Sequence, residues 1–93
     1  MTAVELTHMN ELLSESQTKA LLDILVEELG VQATQLTPDA RLEEDLGADS
    51  LTMAEIIMSV DEHFDVCVPD EMAERVVTVG DLFETLAELL GKR

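Results

Sequence analysis

The sequence predicts an all-α fold, a small bundle of three main helices plus one short helix, and three observations carry that prediction. Only 2% of the residues are aromatic, with no Trp and no Tyr, so the core must be built from Leu, Ile, Val and Met with Phe64 and Phe83. That palette suits helices better than a sheet. Three stretches place apolar residues at helical spacing, and each opens on a side chain able to accept from first-turn N–H groups. Between them stand Gly30, Pro38, Gly47 and Pro69, residues that end or interrupt helices. With 93 residues, 46% of them hydrophobic, the chain can bury one modest core and not two.

Residues 1–13 mix polar and apolar types without periodicity and read as a mobile N-terminal extension ahead of one domain over 14–91. Ser14 with Gln17 has the form of a capping box, which starts a first helix that runs to Leu29 and ends at Gly30. At about 100° per residue, Leu21, Leu22, Leu25, Val26 and Leu29 share one face of it, the core face. Residues 31–48 carry the loop signals Thr37-Pro38-Asp39 and Gly47, with Val31, Leu36, Leu42 and Leu46 as anchors. So long a connection suggests function.

A second helix is expected from Ser50 to Phe64 with Asp49 as its N-cap, stopped before Pro69. Residues 70–75 allow one short helical segment. Thr78 with Asp81 resembles another capping box and opens a last helix to Leu90, with Gly91 beyond it. Its inward stripe is Val79, Leu82, Phe83, Leu86, Leu89 and Leu90.

The second helix has two faces. Met53, Ile56, Ile57, Val60 and Phe64 fall within about 100° of arc and supply the buried stripe. Leu51, Glu55, Met58 and Glu62 cluster opposite, so apolar residues alternate with carboxylates where water is expected. Apolar anchors in a charged rim suit a docking surface; alternatively, Leu51 and Met58 pack beneath a neighbouring loop.

Charge points the same way. The chain has 21 acidic and 5 basic residues, a formal net charge of −16. Residues 42 to 74 contain no Lys or Arg, while Glu43, Glu44, Asp45, Asp49, Glu55, Asp61, Glu62, Asp65, Asp70, Glu71 and Glu74 are acidic. Such a surface repels nucleic-acid phosphates and anionic membranes and attracts cationic protein patches. The same crowding disfavours folding by self-repulsion, so millimolar magnesium or calcium, or mildly acidic pH, is expected to raise the melting temperature. A melting temperature indifferent to divalent ions would count against this.

Asp45-Leu46-Gly47-Ala48-Asp49-Ser50-Leu51 resembles the signature of the acyl carrier protein family, whose Asp-Ser-Leu opens its second helix. Glu55, Met58, Asp61-Glu62, Phe64-Asp65, Val68-Pro69-Asp70-Glu71, Ala73-Glu74 and Thr78-Val79 resemble the family's spacing downstream, over about residues 16 to 90. The resemblance implies an acyl-carrier-like bundle that performs no catalysis. By that resemblance a phosphopantetheinyl transferase moves 4′-phosphopantetheine from coenzyme A onto Ser50, beside Asp49, and the arm carries acyl groups as thioesters. It further implies docking of acyl-transferring, ketosynthase and related enzymes of fatty-acid or polyketide synthesis, through basic patches, on Leu51, Glu55, Met58 and Glu62. The acyl chain would be lined by Ile57, Val60, Val68, Val76 and Leu82, all of which ordinary packing also explains.

The position of Ser50 suits that chemistry, because a phosphodiester there would lie near the positive end of the helix dipole. Thr52, His63 and Val77 depart from residues common in fatty-acid members, which points as readily to a specialised pathway. A peptidyl carrier is disfavoured, since that branch usually has Gly-Gly-His-Ser-Leu where this chain has Gly47-Ala48-Asp49-Ser50-Leu51. The competing class is an acidic helical adaptor that binds a basic partner unmodified.

Other chemistry finds little support. His8 and His63 stand apart from each other and from Cys67, so no metal or catalytic set is expected, and His63 reads as a solvated residue near a helix end. Cys67 reads as a partly buried, inert thiol, and a single cysteine excludes an internal disulfide. An EF-hand centred on Gly47 fails, because Leu42, Leu46 and Met53 would occupy ligand positions. The opening residues lack a cationic start followed by an apolar stretch, and no run approaches the ~18 apolar residues of a membrane span. A monomeric cytoplasmic protein is expected.

Overall fold

The computed structural model describes residues 13–91, so the extension read over residues 1–13 lies outside it apart from Leu13, which is buried. Helix α1 spans Glu15–Leu29, a 3₁₀ turn follows at Ala33–Gln35, α2 spans Ser50–Phe64, α3 is the short Asp70–Glu74, and α4 spans Val79–Gly91. Among the described residues, extended pairing is limited to an isolated antiparallel bridge between Arg41 and Thr78. The fold is the expected all-α bundle.

Local chemistry sets the helix ends. At the start of α1 the Ser14 hydroxyl accepts from the Gln17 N–H at 3.2 Å and the Gln17 side chain accepts from the Ser14 N–H at 3.0 Å, so both halves of the capping box form. Gly30 closes the helix in the left-handed region at φ 69°, where glycine carries no Cβ penalty. Asp65 closes α2 in the same region at φ 55°. At the start of α4 the Asp81 carboxylate accepts from Val77 and Thr78 N–H, and the Thr78 hydroxyl accepts from Asp81 N–H at 3.0 Å. That helix continues one residue past Leu90, through Gly91.

The core joins these faces. Leu21 and Leu25 of α1, Ile56 and Val60 of α2, and Val79, Leu82, Phe83 and Leu86 of α4 are fully or almost fully buried. Leu22, Val26, Leu29, Met53, Ile57, Phe64, Leu89 and Leu90 pack around them half-buried. Among the described residues, one buried side-chain polar atom lacks a hydrogen-bond partner, the Thr18 hydroxyl. Between α1 and α2, Ser59 donates to Glu28 at 3.3 Å.

The 31–48 connection is ordered by more than its apolar anchors. Leu36, Leu42 and Leu46 are buried, and Val31 is half-buried. Its backbone also laces onto the approach to α4. Leu42 N–H donates to the Val77 carbonyl at 2.9 Å, Val79 N–H to Ala40 at 2.9 Å and Gly80 N–H to Pro38 at 3.0 Å. The approach is so close that a Cβ on Gly80 would stand 3.0 Å from the Pro38 oxygen.

Candidate functional site

The site is built on the first turn of α2. The chain winds tightly just before it: Leu46 N–H donates to Arg41 at 3.0 Å, Gly47 N–H to Glu43 at 3.2 Å and Ala48 N–H to Leu42 at 2.9 Å. Gly47 takes φ 80°, which an L side chain would resist. Leu42, Leu46 and Ala48 are buried, so the turn is pinned from beneath and delivers Asp49 and Ser50 to the surface in fixed positions.

Asp49 caps the helix. Its carboxylate accepts from the Thr52 N–H at 2.8 Å, and this bond holds its pKa below the usual carboxylate range. In the preceding turn Asp45 accepts from the Arg41 N–H at 2.9 Å and from its guanidinium, and these bonds depress its pKa as well. Ser50, next to the cap, is exposed, and among the described residues its hydroxyl has no hydrogen-bond partner. An unengaged hydroxyl on a rigid helix start, beside N–H groups without intrahelical partners, can accept a phosphodiester with little rearrangement.

From Ser50 the outward face of α2 runs along the helix. Leu51 is 68% exposed and Met58 61%, so neither packs beneath a loop. Glu55 and Glu62 are exposed on the same side. His63, also exposed, lies in the last turn with its ring edge-on to Phe64 at 4.8 Å.

Beside that face lies a groove of about 380 Å³ between α2 and α3, lined by Met53, Ala54, Ile57, Met58, Asp70, Ala73 and Glu74. Of the residues expected to line an acyl chain, Ile57 is half-buried on this groove, Val60, Val68 and Leu82 are buried in the core, and Val76 is buried beneath a separate surface recess. The groove's Ala54 escaped the sequence reading, and Ala73 entered it only through the family's spacing and not as a groove residue. Two small residues on facing elements were the available signal.

One expectation is corrected. Cys67 is exposed and not partly buried. Its neighbour Val68 takes the inward position, held by its N–H donating to the Asp61 carboxylate at 3.1 Å, which turns the intervening side chain outward. Among the described residues no group of three or more His, Cys, Asp or Glu gathers to hold a metal ion, and no helix is long and apolar enough to cross a membrane.

The chain matches the phosphopantetheine attachment site family over residues 19–90. It is 47% identical over 68 residues to the acyl carrier protein of Syntrophobacter fumaroxidans, covering 73% of this chain and 84% of that one. This chain belongs to the acyl carrier protein family. The acyl carrier protein of Helicobacter pylori strain J99 is 45% identical over 65 residues, covering 70% of this chain and 83% of that protein. Membership gives the chain an acyl-carrying role in biosynthesis, as a carrier rather than an enzyme, with covalent 4′-phosphopantetheine as its prosthetic group. The first turn of α2 fits that group: it offers a free hydroxyl and a helix start, and the carboxylate next to it is already turned to Thr52.

Proposed function

We propose that Ser50 is the attachment point of the arm and that the outward face of α2 is where partner enzymes read the carrier. The observation that carries this reading is the exposed, unpartnered Ser50 hydroxyl at the start of α2, continuous with Leu51, Glu55, Met58 and Glu62. In loading by a phosphopantetheinyl transferase, the Ser50 oxygen bonds to the phosphorus that carries the pantetheine in coenzyme A. The pyrophosphate bond breaks, adenosine bisphosphate leaves, and the hydroxyl proton passes to the transferase or solvent. The arm's terminal thiol supplies the thioester that holds the acyl group. The chain itself supplies no catalytic residue.

Asp49 keeps the helix start rigid by binding Thr52, so its negative charge is fixed beside Ser50 and draws a partner's basic residue to the reacting hydroxyl. Leu51 and Met58 supply apolar anchors, and Glu55 and Glu62 steer basic patches of acyl-transferring, ketosynthase and related enzymes. The carrier domain spans 14–91 and acts as a cytoplasmic monomer in fatty-acid or polyketide synthesis.

Acyl chains enter by parting α3 from α2 at the Ile57 groove and displace packing at Val60, Val68, Val76 and Leu82. What favours α3 as the moving element is its make-up: five residues, no side-chain cap bond and no buried residue of its own.

Incubation with coenzyme A and a broad-specificity phosphopantetheinyl transferase tests the reading by intact mass. The wild type gains the mass of one arm and Ser50→Ala gains none. No gain on the wild type would leave an unmodified acidic adaptor as the better account.

A further inference from the structure

A second, smaller recess lies away from the outward face of α2. It encloses about 180 Å³ between the 41–44 turn and the approach to α4, and is lined by Arg41, Glu43, Glu44, Glu74, Val76 and Val77. Val76 is its buried floor, and Val77 is 54% exposed at its side.

Val77 is held in that position by its backbone. Its N–H donates to Asp81 at 3.0 Å and its carbonyl accepts from Leu42 at 2.9 Å, so the segment is fixed on both sides. An exposed β-branched side chain on a pinned backbone loses little freedom on contact. The recess also carries surplus negative charge. Arg41, its one cation, already pairs with Glu44 and Asp45, which leaves Glu43 and Glu74 without a counter-charge within the recess.

We propose that this recess is a second docking contact, which takes one basic side chain from a partner protein. The partner's alkyl stem lies on Val76 and Val77, and its cationic head meets Glu43 and Glu74. A long basic side chain matches on three counts: it brings an apolar stem to an apolar floor, a positive head to unneutralised carboxylates, and a single-side-chain volume to a recess too small for a helix. Glu74 also lines the groove beside Met58, so a partner seated on α2 reaches the recess without a gap. The contact adds orientation: one anchor face on α2 leaves rotation about that helix open, and a second contact off it fixes the angle at which Ser50 is presented.

This inference deepens the carrier reading and rests on it. The test is the kcat/KM of arm transfer by the same phosphopantetheinyl transferase. Val77→Ser, which keeps the net charge, and the pair Glu43→Gln with Glu74→Gln should each lower kcat/KM three- to tenfold. The charge-matched pair Glu15→Gln with Glu27→Gln on α1 should change it less than twofold. The triple variant should lose less than the product of the separate losses, because both sets contact one partner side chain. Melting temperatures of all variants separate lost docking from lost folding. If wild type is loaded but the recess variants match the α1 control, the recess proposal falls and the carrier reading stands. If wild type is not loaded, the carrier reading falls first.

Discussion

Helices α2 and α4 are close in length, 15 and 13 residues, yet they divide their surfaces differently. In α4 the apolar residues Val79, Leu82, Phe83 and Leu86 are buried and the outward positions Glu84 and Glu88 are exposed carboxylates. Every large apolar side chain of α4 has a use in the core. In α2 only Ile56 and Val60 are fully buried, while Leu51 and Met58 stand in water. The fold explains all of α4 and only half of α2. What is left over on α2, Leu51 and Met58, is the surface on which the proposal places partner docking.

The sharpest way to break that contrast is to truncate one large side chain from each helix. Phe83→Ala should destabilise the protein by about 3–5 kcal/mol, since it empties the core. Met58→Ala should stay within about 0.5 kcal/mol of wild type in the same urea titration, as exposed substitutions do. A Met58→Ala loss comparable to that of Phe83→Ala would make the outward face of α2 structural. The complementary measurement is arm transfer: Met58→Ala should lower kcat/KM about tenfold, or about 1.4 kcal/mol of transition-state stabilisation. Unchanged transfer would remove Met58 from the docking face.

A smaller effect tests the core that both helices share with α1. The Thr18 hydroxyl is buried without a partner, so Thr18→Val should stabilise by about 1 kcal/mol, read as a rise in melting temperature. A fall would mean that the hydroxyl is satisfied in solution.

The smallest effect separates the helix starts by pH. Asp49 and Asp45 have folded pKa values depressed by hydrogen bonds, so their contributions are present above the unfolded value of about 3.9 and vanish as pH falls through the folded values. Asp49→Asn keeps a capping oxygen but not the titration. Its stability should therefore fall less steeply below about pH 4 than that of wild type, measured by urea midpoints across the acid range. Parallel acid limbs would dissociate Asp49 from the acid sensitivity of α2.

What the residues revealed in advance was local. The Ser14–Gln17 box, the Asp49 cap and the Thr78–Asp81 cap are contacts between residues three apart, and a sequence shows them directly. The outward face of α2 was equally legible, because helical spacing decides it. Long-range contacts were not. The lacing of residues 38–42 onto 77–80 joins distant parts of the chain through backbone groups that every residue carries, so no side chain announces it. That lacing holds Val77 outward, and with it the second recess. Cys67 was read as partly buried for a similar reason: the Asp61 bond to Val68 N–H, which turns Val68 inward and leaves Cys67 exposed, joins residues seven apart and is not announced by the residues beside the thiol.

Ser50 lies at the start of a helix that the core holds on one side and that stands exposed on the other, where partner docking is proposed. Fragment-ion mapping of the loaded protein tests that placement most directly, because the chain offers Ser14, Ser16 and Ser59 as alternative hydroxyls. The account predicts the arm on the peptide that contains Ser50 and on no other. An arm on any other residue, or continued loading of Ser50→Ala, would contradict it.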